Sequence, residues 1–465
     1  MHRDCLQEML RWKDGRKRKP LVLMGARQVG KTWLMEEFAK KEFPRDHVIV
    51  NFMRKRLLCE HLKEGDIDPA SFVRLLQTAT GKRIIPGKTL LVLDEIQECP
   101  SALTALKFFC EDMPELAIVA AGSLLGLSFG ERMDDGENAV SDEARTSFPV
   151  GKIDRLNVYP LTFAEFLRAC GKEVMVEAVQ NRDWRTVGLL SREYESLLKH
   201  YFVTGGMPEA VGDWIETSSF AEVRRTQRRM LHDYDDDFKK HAPLELLPKI
   251  RLVWNNIAAQ LAKENKKFIY TALKPGARAR EYEVALEWLR DAGMIYMHHR
   301  VCPPRLPIAH YTDFGAFKLF MHDVGLLGAM SALDPAVVLE GNALFTNFKG
   351  ALTEQFVLQE LVANGIDSGY WTPDSGIAEV DFVIQGSSTV YPLEVKAATN
   401  TKAKSLAVYL KEYNPPLAIK SSLKSYSDSG LVHSLPLYAL GLSIGEISRC
   451  GTRIHNLKGS THVPA

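Results

Sequence analysis

Gly25-Ala26-Arg27-Gln28-Val29-Gly30-Lys31-Thr32 fits G-x-x-x-x-G-K-[ST] without a gap. Glycines in such a loop let backbone N–H groups turn inward on phosphate oxygens. Lys31 can reach the β- and γ-phosphates, and the Thr32 hydroxyl can hold Mg²⁺. A second pair of polar residues, Asp94-Glu95, closes the apolar run Leu90-Leu91-Val92-Leu93. An apolar strand ending in two acids is the other half of an ATP site: Asp94 would hold the Mg²⁺ water shell and Glu95 would polarise the attacking water. A third polar residue, Ser123, follows the run Leu116 to Ala121 and Gly122. Where an extra strand lies between the two motifs, a polar residue at its end senses the γ-phosphate; a plain strand-to-turn serine is the alternative.

A second group stands near the other end of the chain. Glu354 is followed by Asp381 in Glu379-Val380-Asp381-Phe382-Val383-Ile384, then by Glu394 and Lys396 in Leu393-Glu394-Val395-Lys396. This E…D…E-x-K order resembles the PD-(D/E)xK nuclease fold. On neighbouring strands Asp381 and Glu394 can point to one side and share a divalent metal, with Glu354 contributing from a helix. Lys396 lies two residues beyond Glu394, on the same face by strand alternation, and can orient a water or stabilise a phosphate. Carboxylates kept only as solvated remnants on an interaction fold are the alternative. Lys402, Lys404, Lys411, Lys420 and Lys424 make this end locally basic, as nucleic-acid contact requires.

These groups need elements to hold them. Leu21-Val22-Leu23-Met24 reads as a buried strand before the loop, and Trp33 to Lys40 as the start of a helix whose N-terminus adds partial positive charge. His47 to Phe52, Thr89 to Leu93, Leu116 to Ala121 and Ile153 to Val158 read as further strands. Phe163 to about His241 is helical by its three-and-four apolar spacing. Within it Arg224-Arg225 and Arg228-Arg229 form a basic stripe, read as a solvated face neutralised by Asp233-Tyr234-Asp235-Asp236-Asp237 rather than a phosphate contact. That acidic run lacks the glycine and glutamate of an EF-hand. Helices from Leu252 to Gly293 and a short strand after Met294 follow the plan of a winged helix, with mixed charge on Tyr282 to Ala292. A helix from Lys349 to Ala363 reads as amphipathic. His298-His299 with His310 lack a fourth ligand for zinc, and Asp313-Phe314-Gly315 stands without the other kinase motifs.

Composition limits the classes. A chain of 465 residues suggests roughly three domains. A net charge of +1 gives no global attraction to nucleic acid. Seven scattered cysteines, with no C-x-x-C, argue against a disulfide framework and fit reducing cytosol. No apolar run approaches the ~18 residues of a membrane span, and Met1 to Pro20 lacks a signal-peptide core.

Tyr159-Pro160-Leu161-Thr162-Phe163-Ala164-Glu165-Phe166-Leu167 and Tyr201-Phe202-Val203-Thr204-Gly205-Gly206-Met207-Pro208-Glu209-Ala210-Val211 follow the nucleotide motifs. With them the chain resembles a prokaryotic family of AAA-type ATP-binding proteins carrying a DUF4143 C-terminal region. The resemblance implies an α/β multidomain protein. Expected are a P-loop AAA+ three-layer core with a parallel sheet (1–160), a helical lid (161–245), a winged-helix-like module (246–340) and a restriction-nuclease-like DUF4143 domain (341–465). It implies ATP and Mg²⁺ as cofactors, ATP hydrolysis, self-association, and a cytoplasmic location. DNA is the expected partner of the C-terminal half, and the alternative is an ATP-dependent switch that binds a protein partner without cleaving nucleic acid. Gly151-Lys152 stands where many relatives have Gly-Arg, which leaves Arg145 and Arg155 as the candidates to complete a neighbouring site.

Overall fold

The apolar runs of the N-terminal third become the inner strands of a parallel sheet. Strands β1 (Leu21–Met24), β2 (His47–Asn51), β3 (Leu90–Asp94), β4 (Ala117–Ala121) and β5 (Asp154–Asn157) lie in the order β2-β3-β4-β1-β5, all parallel. β3 and β4 are buried at every position, as parallel strands covered on both faces must be, whereas the edge strands β2 and β5 alternate. Val22, Val48, Val50, Leu91, Leu93, Ile118 and Ala120 face helices Pro69–Thr80 and Pro100–Asp112 in one core. The helix Lys31–Glu42 contacts β2, β3 and β4, and its buried Leu34, Met35 and Phe38 lie outside that core, so helices cover both faces.

The structure is a computed structural model that describes the chain except residues 64–67, 123–124, 126–148, 264–265, 341–345, 375, 377, 398–403 and 451–465. The chain forms two compact units: His2–Tyr159 with Glu287–Met294, and Met1 with Pro160–Leu286 and the chain from Ile295 onward. The stretches expected as lid, winged-helix-like module and nuclease-like domain therefore fall almost wholly within one unit.

That second unit is built on a mixed sheet of eight strands. They are β6 (Ile295–Val301), β7 (Thr312–Met321), β8 (Ser368–Trp371), β9 (Val380–Gln385), β10 (Val390–Val395), β11 (Ala418–Ser422), β12 (Ser427–Asp428) and β13 (Val432–Pro436), in the order β12-β13-β11-β10-β9-β8-β6-β7. The β6-β7 hairpin follows helices Leu247–Leu261 and Ala279–Asp291, as in the winged-helix plan. It does not stand apart, because β6 pairs with β8 at Arg300↔Tyr370 and continues the C-terminal sheet.

The helix Thr346–Ala363 is buried at every position from Ala351 to Leu361. It is not the amphipathic helix expected, because its polar residues face neighbouring elements rather than water. Gln355 bonds both backbone groups of Met321, at 3.0 Å and 2.6 Å. Gln359 accepts from Val324 N and donates to the Tyr201 hydroxyl. Glu360 accepts from Phe163 N at 2.7 Å.

The P-L-T-F-x-E-F and G-G-M-P-E-A stretches meet one another here. Thr162 and Glu165 form a reciprocal capping box on helix Phe163–Ala169. Leu161 N donates to Gly206 O at 2.7 Å, and Gly206 N donates to the Asp323 carboxylate at 2.6 Å. A Cβ on Gly206 would lie 2.1 Å from Leu161 O, so only glycine fits this approach. Arg224, at the head of the basic stripe, is buried and donates to Gln227 and to Gly325 O. Arg225 and Arg229 pair with Glu222 and Glu209 at the surface, so the stripe divides between an inward arginine and solvated ones.

Asp323 is fully buried and also accepts from Leu326 N at 2.9 Å. Burial outweighs these amides and the nearby Arg224 and pushes its carboxyl up to about 6 from an ordinary 3.8. Between those values the folded state holds the proton and the unfolded state releases it. The contribution of this group to stability is thus full below the unfolded value and is lost as pH rises through about 6. Asp323→Asn should remove that component, about 3 kcal/mol at this shift. Urea unfolding of both proteins across this window checks it: the difference in stability should change with pH and level off above about 7.

Candidate functional site

The parallel register brings the N-terminal candidates to one edge. Leu23 and Asp94 both lie opposite Ala121, so the phosphate loop after β1 and the acidic pair after β3 leave the same end of the sheet with β4 between them. This is the interposed strand that the position of Ser123 requires; Ser123 itself, like Arg145, lies outside the described residues. β1 is followed in sequence by β2 at the far edge, and β4 by β5 on the other side of β1. The chain therefore changes direction at the loop, where open α/β sheets hold ligands.

The loop is tightly specified. Gly25 has φ +137°, and a Cβ there would lie 2.1 Å from Val158 O. Gly30 is left-handed at φ 93° and starts the helix Lys31–Glu42. Ala26 and Val29 are buried, while Arg27 and Gln28 are half-buried, with Gln28 at φ 67°. Lys31 is buried, and its ammonium donates to the Gly25 and Ala26 carbonyls at 2.8 Å and 2.7 Å. Burial lowers its pKa from 10.5 to about 8, against the opposing fields of Glu95 and Asp94. The Thr32 hydroxyl donates to Asp94 Oδ1 at 3.1 Å. Asn51 donates to Asp94 Oδ2 at 2.9 Å, while burial holds the Asp94 carboxyl above its ordinary value. Glu95 has φ 52°, a conformation that costs a non-glycine residue roughly 1 kcal/mol or more and concentrates at functional sites. Gln97 donates to Glu95 Oε2 at 2.6 Å and fixes its carboxylate.

Asn51, Gln97 and Arg3 carry no motif. Asn51 ends β2 directly opposite Asp94, and that strand-end position was its one sequence signal. Arg3 is buried, and its guanidinium donates to Val29 O at 2.9 Å and Tyr159 O at 2.5 Å, tying the phosphate loop to the segment after β5. Arg155 is exposed on β5.

In the second unit the register Leu393↔Phe382 sets Glu394 beside Asp381, with Val380, Phe382, Leu393 and Val395 buried on the opposite face. Lys396 Nζ lies 2.6 Å from Glu394 Oε1 and 4.0 Å from Asp381 Oδ2. Val395 N donates to Asp381 Oδ2 at 2.8 Å. Glu354 faces the same cluster, yet its partners are two lysines that no motif marks. Lys318 Nζ lies 3.1 Å from Glu354 Oε2 and 2.7 Å from Glu379 Oε1, and Lys266 pairs with Glu354 Oε1. Despite its burial, Glu354 is held at about 2 by Lys318 and Lys266. Burial and the neighbouring Glu354 and Glu394 push Asp381 up to about 8, and burial raises Glu394 too. Among the described residues no three His, Cys, Asp or Glu side chains are grouped to hold a metal ion. His298 is buried against Phe382, and its Nε2 lies 3.2 Å from Asp381 O.

Residues 17–167 match the AAA domain family AAA_14, and residues 349–440 match DUF4143, a domain of unknown function. Both matches agree with the resemblance to AAA-type proteins that carry a DUF4143 region. Residues 195–337, between the two, match a further domain of unknown function, DUF8612. No curated protein sequence matches the chain. Among solved structures, the Walker-type ATPase PABY2304 of Pyrococcus abyssi is 16% identical, with a TM-score of 0.43, over 70% of this chain and 95% of its own. The Aeropyrum pernix ORC1 protein in complex with DNA is 14% identical, with a TM-score of 0.27, over 72% of this chain and 94% of its own. Among the described residues no helix is long and apolar enough to cross a membrane.

Two outcomes follow for the AAA domain. With Lys31 lowered to about 8, its amine is largely neutral near pH 9, and phosphate oxygens placed against it restore the proton. ATP binding at about pH 9 should therefore take up close to one proton, and binding at about pH 7 almost none; calorimetry in buffers of differing ionisation enthalpy measures this. Arg3→Ala frees the loop from both carbonyl anchors and should weaken ATP binding by about tenfold, the effect of one or two lost hydrogen bonds. Arg3→Lys should recover part of that loss, as read by fluorescent-nucleotide titration.

Proposed function

We propose that the AAA domain binds ATP with Mg²⁺ and hydrolyses it, and that the second unit acts as the partner-binding half of an ATP-dependent switch. The observation that carries the first part is the closed contact set at the ends of β1 and β3. Lys31 rests on loop carbonyls it can exchange for phosphate oxygens, and Thr32 already bonds Asp94.

The residues suit the group they would hold. The loop from Gly25 to Thr32 offers backbone N–H groups and a helix N-terminus to phosphates. The Thr32 hydroxyl and Asp94 carboxylate are hard oxygen donors of the kind Mg²⁺ takes, and that ion would supply neutralisation of phosphate charge. Glu95, pinned by Gln97 on a strained backbone, orients and polarises the attacking water. Ser123 is the proposed γ-phosphate sensor. AAA-type sites usually take a residue from a neighbouring copy, with Arg145 and Arg155 as the candidates, so ATP-promoted self-association belongs to the same reading.

For the second unit, the Asp381, Glu394 and Lys396 grouping favours nucleic-acid cleavage as an alternative. The lysines on Glu354 favour binding without cleavage. The exposed Lys404, Lys411 and Lys424 of this half make DNA the partner to test first, and a protein partner is indicated where DNA fails. A DNA affinity that falls steeply with salt and is weakened by substituting these lysines would support the DNA form.

Lys31→Ala should abolish tight ATP binding. Glu95→Gln should keep ATP affinity within about threefold while lowering turnover by at least about 100-fold, as expected for loss of a group acting only in the transition state. Steady-state phosphate release and nucleotide titration separate the two. Equal turnover in Glu95→Gln and the unsubstituted protein would remove Glu95 from the mechanism.

A further inference from the structure

The C-terminal cluster has the acids that a divalent-metal site would use, but lysines already hold oxygens of Glu354, Glu379 and Glu394. We propose that Lys318, with Lys266 and Lys396, occupies the cation's place in this cluster, so that the C-terminal half is held together and works without a divalent ion. The inference goes beyond the ATPase reading and is independent of it.

The argument is one of position and charge. Lys318 is 1% exposed and reaches across from β7 to Glu354 at 3.1 Å and Glu379 at 2.7 Å, with its ammonium 5.1 Å from the Tyr370 ring centre. A lysine is almost never this buried unless paired. Lys266 takes the other Glu354 oxygen. Lys396 takes Glu394 Oε1, and Val395 N takes Asp381 Oδ2. Glu394 Oε2 is left buried without a hydrogen-bond partner. Mg²⁺ or Mn²⁺ needs an octahedral oxygen set, and among the described residues no three His, Cys, Asp or Glu side chains are grouped to begin one. Glu354, Glu379, Asp381 and Glu394 face Lys266, Lys318 and Lys396, so the cluster is nearly neutral by itself. A metal ion would have to expel a buried ammonium to enter.

The test uses the full chain without nucleotide. Mn²⁺ or EDTA should leave the Tm of the unsubstituted protein unchanged, and Asp381→Asn should show the same indifference to metal. Lys318→Met leaves Glu354 Oε2 buried without its lysine and Glu354 with Lys266 alone, and should lower Tm by roughly 5–10 °C. Millimolar Mn²⁺ should restore part of that loss, and adding Glu354→Gln should abolish the restoration. A Tm of the unsubstituted protein that rises with Mn²⁺, and does so no longer in Asp381→Asn, would overturn the proposal. So would a destabilised Lys318→Met protein that Mn²⁺ does not restore, or one whose Tm is unchanged. Should Lys318→Met not fold, the unsubstituted protein and Asp381→Asn decide the matter by themselves.

Discussion

A helix buried on every side can carry polar residues only where each has a partner, and the second unit is organised around that constraint. On Thr346–Ala363, Glu354, Gln355, Gln359 and Glu360 are all buried. An unmet buried group costs about 1–3 kcal/mol, so each of these side chains must be met by a neighbouring element. Gln355 fixes the last residue of β7, Met321. Gln359 fixes the start of helix Val324–Met330 and the Tyr201 hydroxyl. Glu360 fixes the first turn of helix Phe163–Ala169. Gln355, Gln359 and Glu360 alone send four long-range connections from two turns of one helix. Replacing Gln355, Gln359 or Glu360 by an apolar residue leaves backbone groups in other elements without partners, so the damage appears far from the substitution.

Asp323 extends the same device by one step. Its carboxylate gathers the N–H groups of Gly206 and Leu326, and Gly206 in turn accepts from Leu161. The two stretches that carry the family resemblance, Pro160 to Phe166 and Gly205 to Ala210, thus meet at a structural junction rather than at a chemical site. Small residues at Gly205 and Gly206 are required by distance: a Cβ on Gly205 would lie 2.2 Å from Asp323 Oδ1. Motif strength in a sequence therefore has two sources here. At the phosphate loop it reflects a ligand's demand for backbone N–H groups, and at Gly206 it reflects the demand of a buried carboxylate for the same donors.

That distinction also explains how far the residues could be read. The parallel sheet was legible because β1, β3 and β4 are continuous apolar runs ending in Gly25, Asp94 and Gly122, and local order at a strand end decides what points out of it. The pairing of Asp381 with Glu394 and Lys396 was legible for the same reason, through alternation on adjacent strands. Lys318 was not. It stands in Ala316-Phe317-Lys318-Leu319-Phe320, where a lysine reads as a solvated residue of an edge strand, and its partners are 36 and 61 positions away. The helix Thr346–Ala363 misled because its polar residues look like a solvent face until the elements that cover them are placed. The β6-β7 hairpin misled in a similar way: its membership of the larger sheet is decided by β8, which comes some fifty residues later as a four-residue strand.

Two carboxylate sites, at the phosphate loop and in the C-terminal cluster, solve one electrostatic problem in opposite ways. A carboxylate taken from water needs a compensating partner. Asp94 is given neutral donors, the Thr32 hydroxyl and the Asn51 amide, and Lys31 is given neutral acceptors, the carbonyls of its own loop. A hydrogen bond between one charged and one neutral group contributes about 1.5–3 kcal/mol, and when a phosphate displaces it the partner left behind carries no charge. Glu354 is given two ammonium groups instead, and Glu394 a third. Removing one member of such a buried ion pair costs about 3–5 kcal/mol, because it strands the other charge. The AAA domain therefore keeps its charges exchangeable, while the C-terminal cluster locks its own into the fold. On that difference the second unit is built to hold its shape, and the AAA domain to change its contacts.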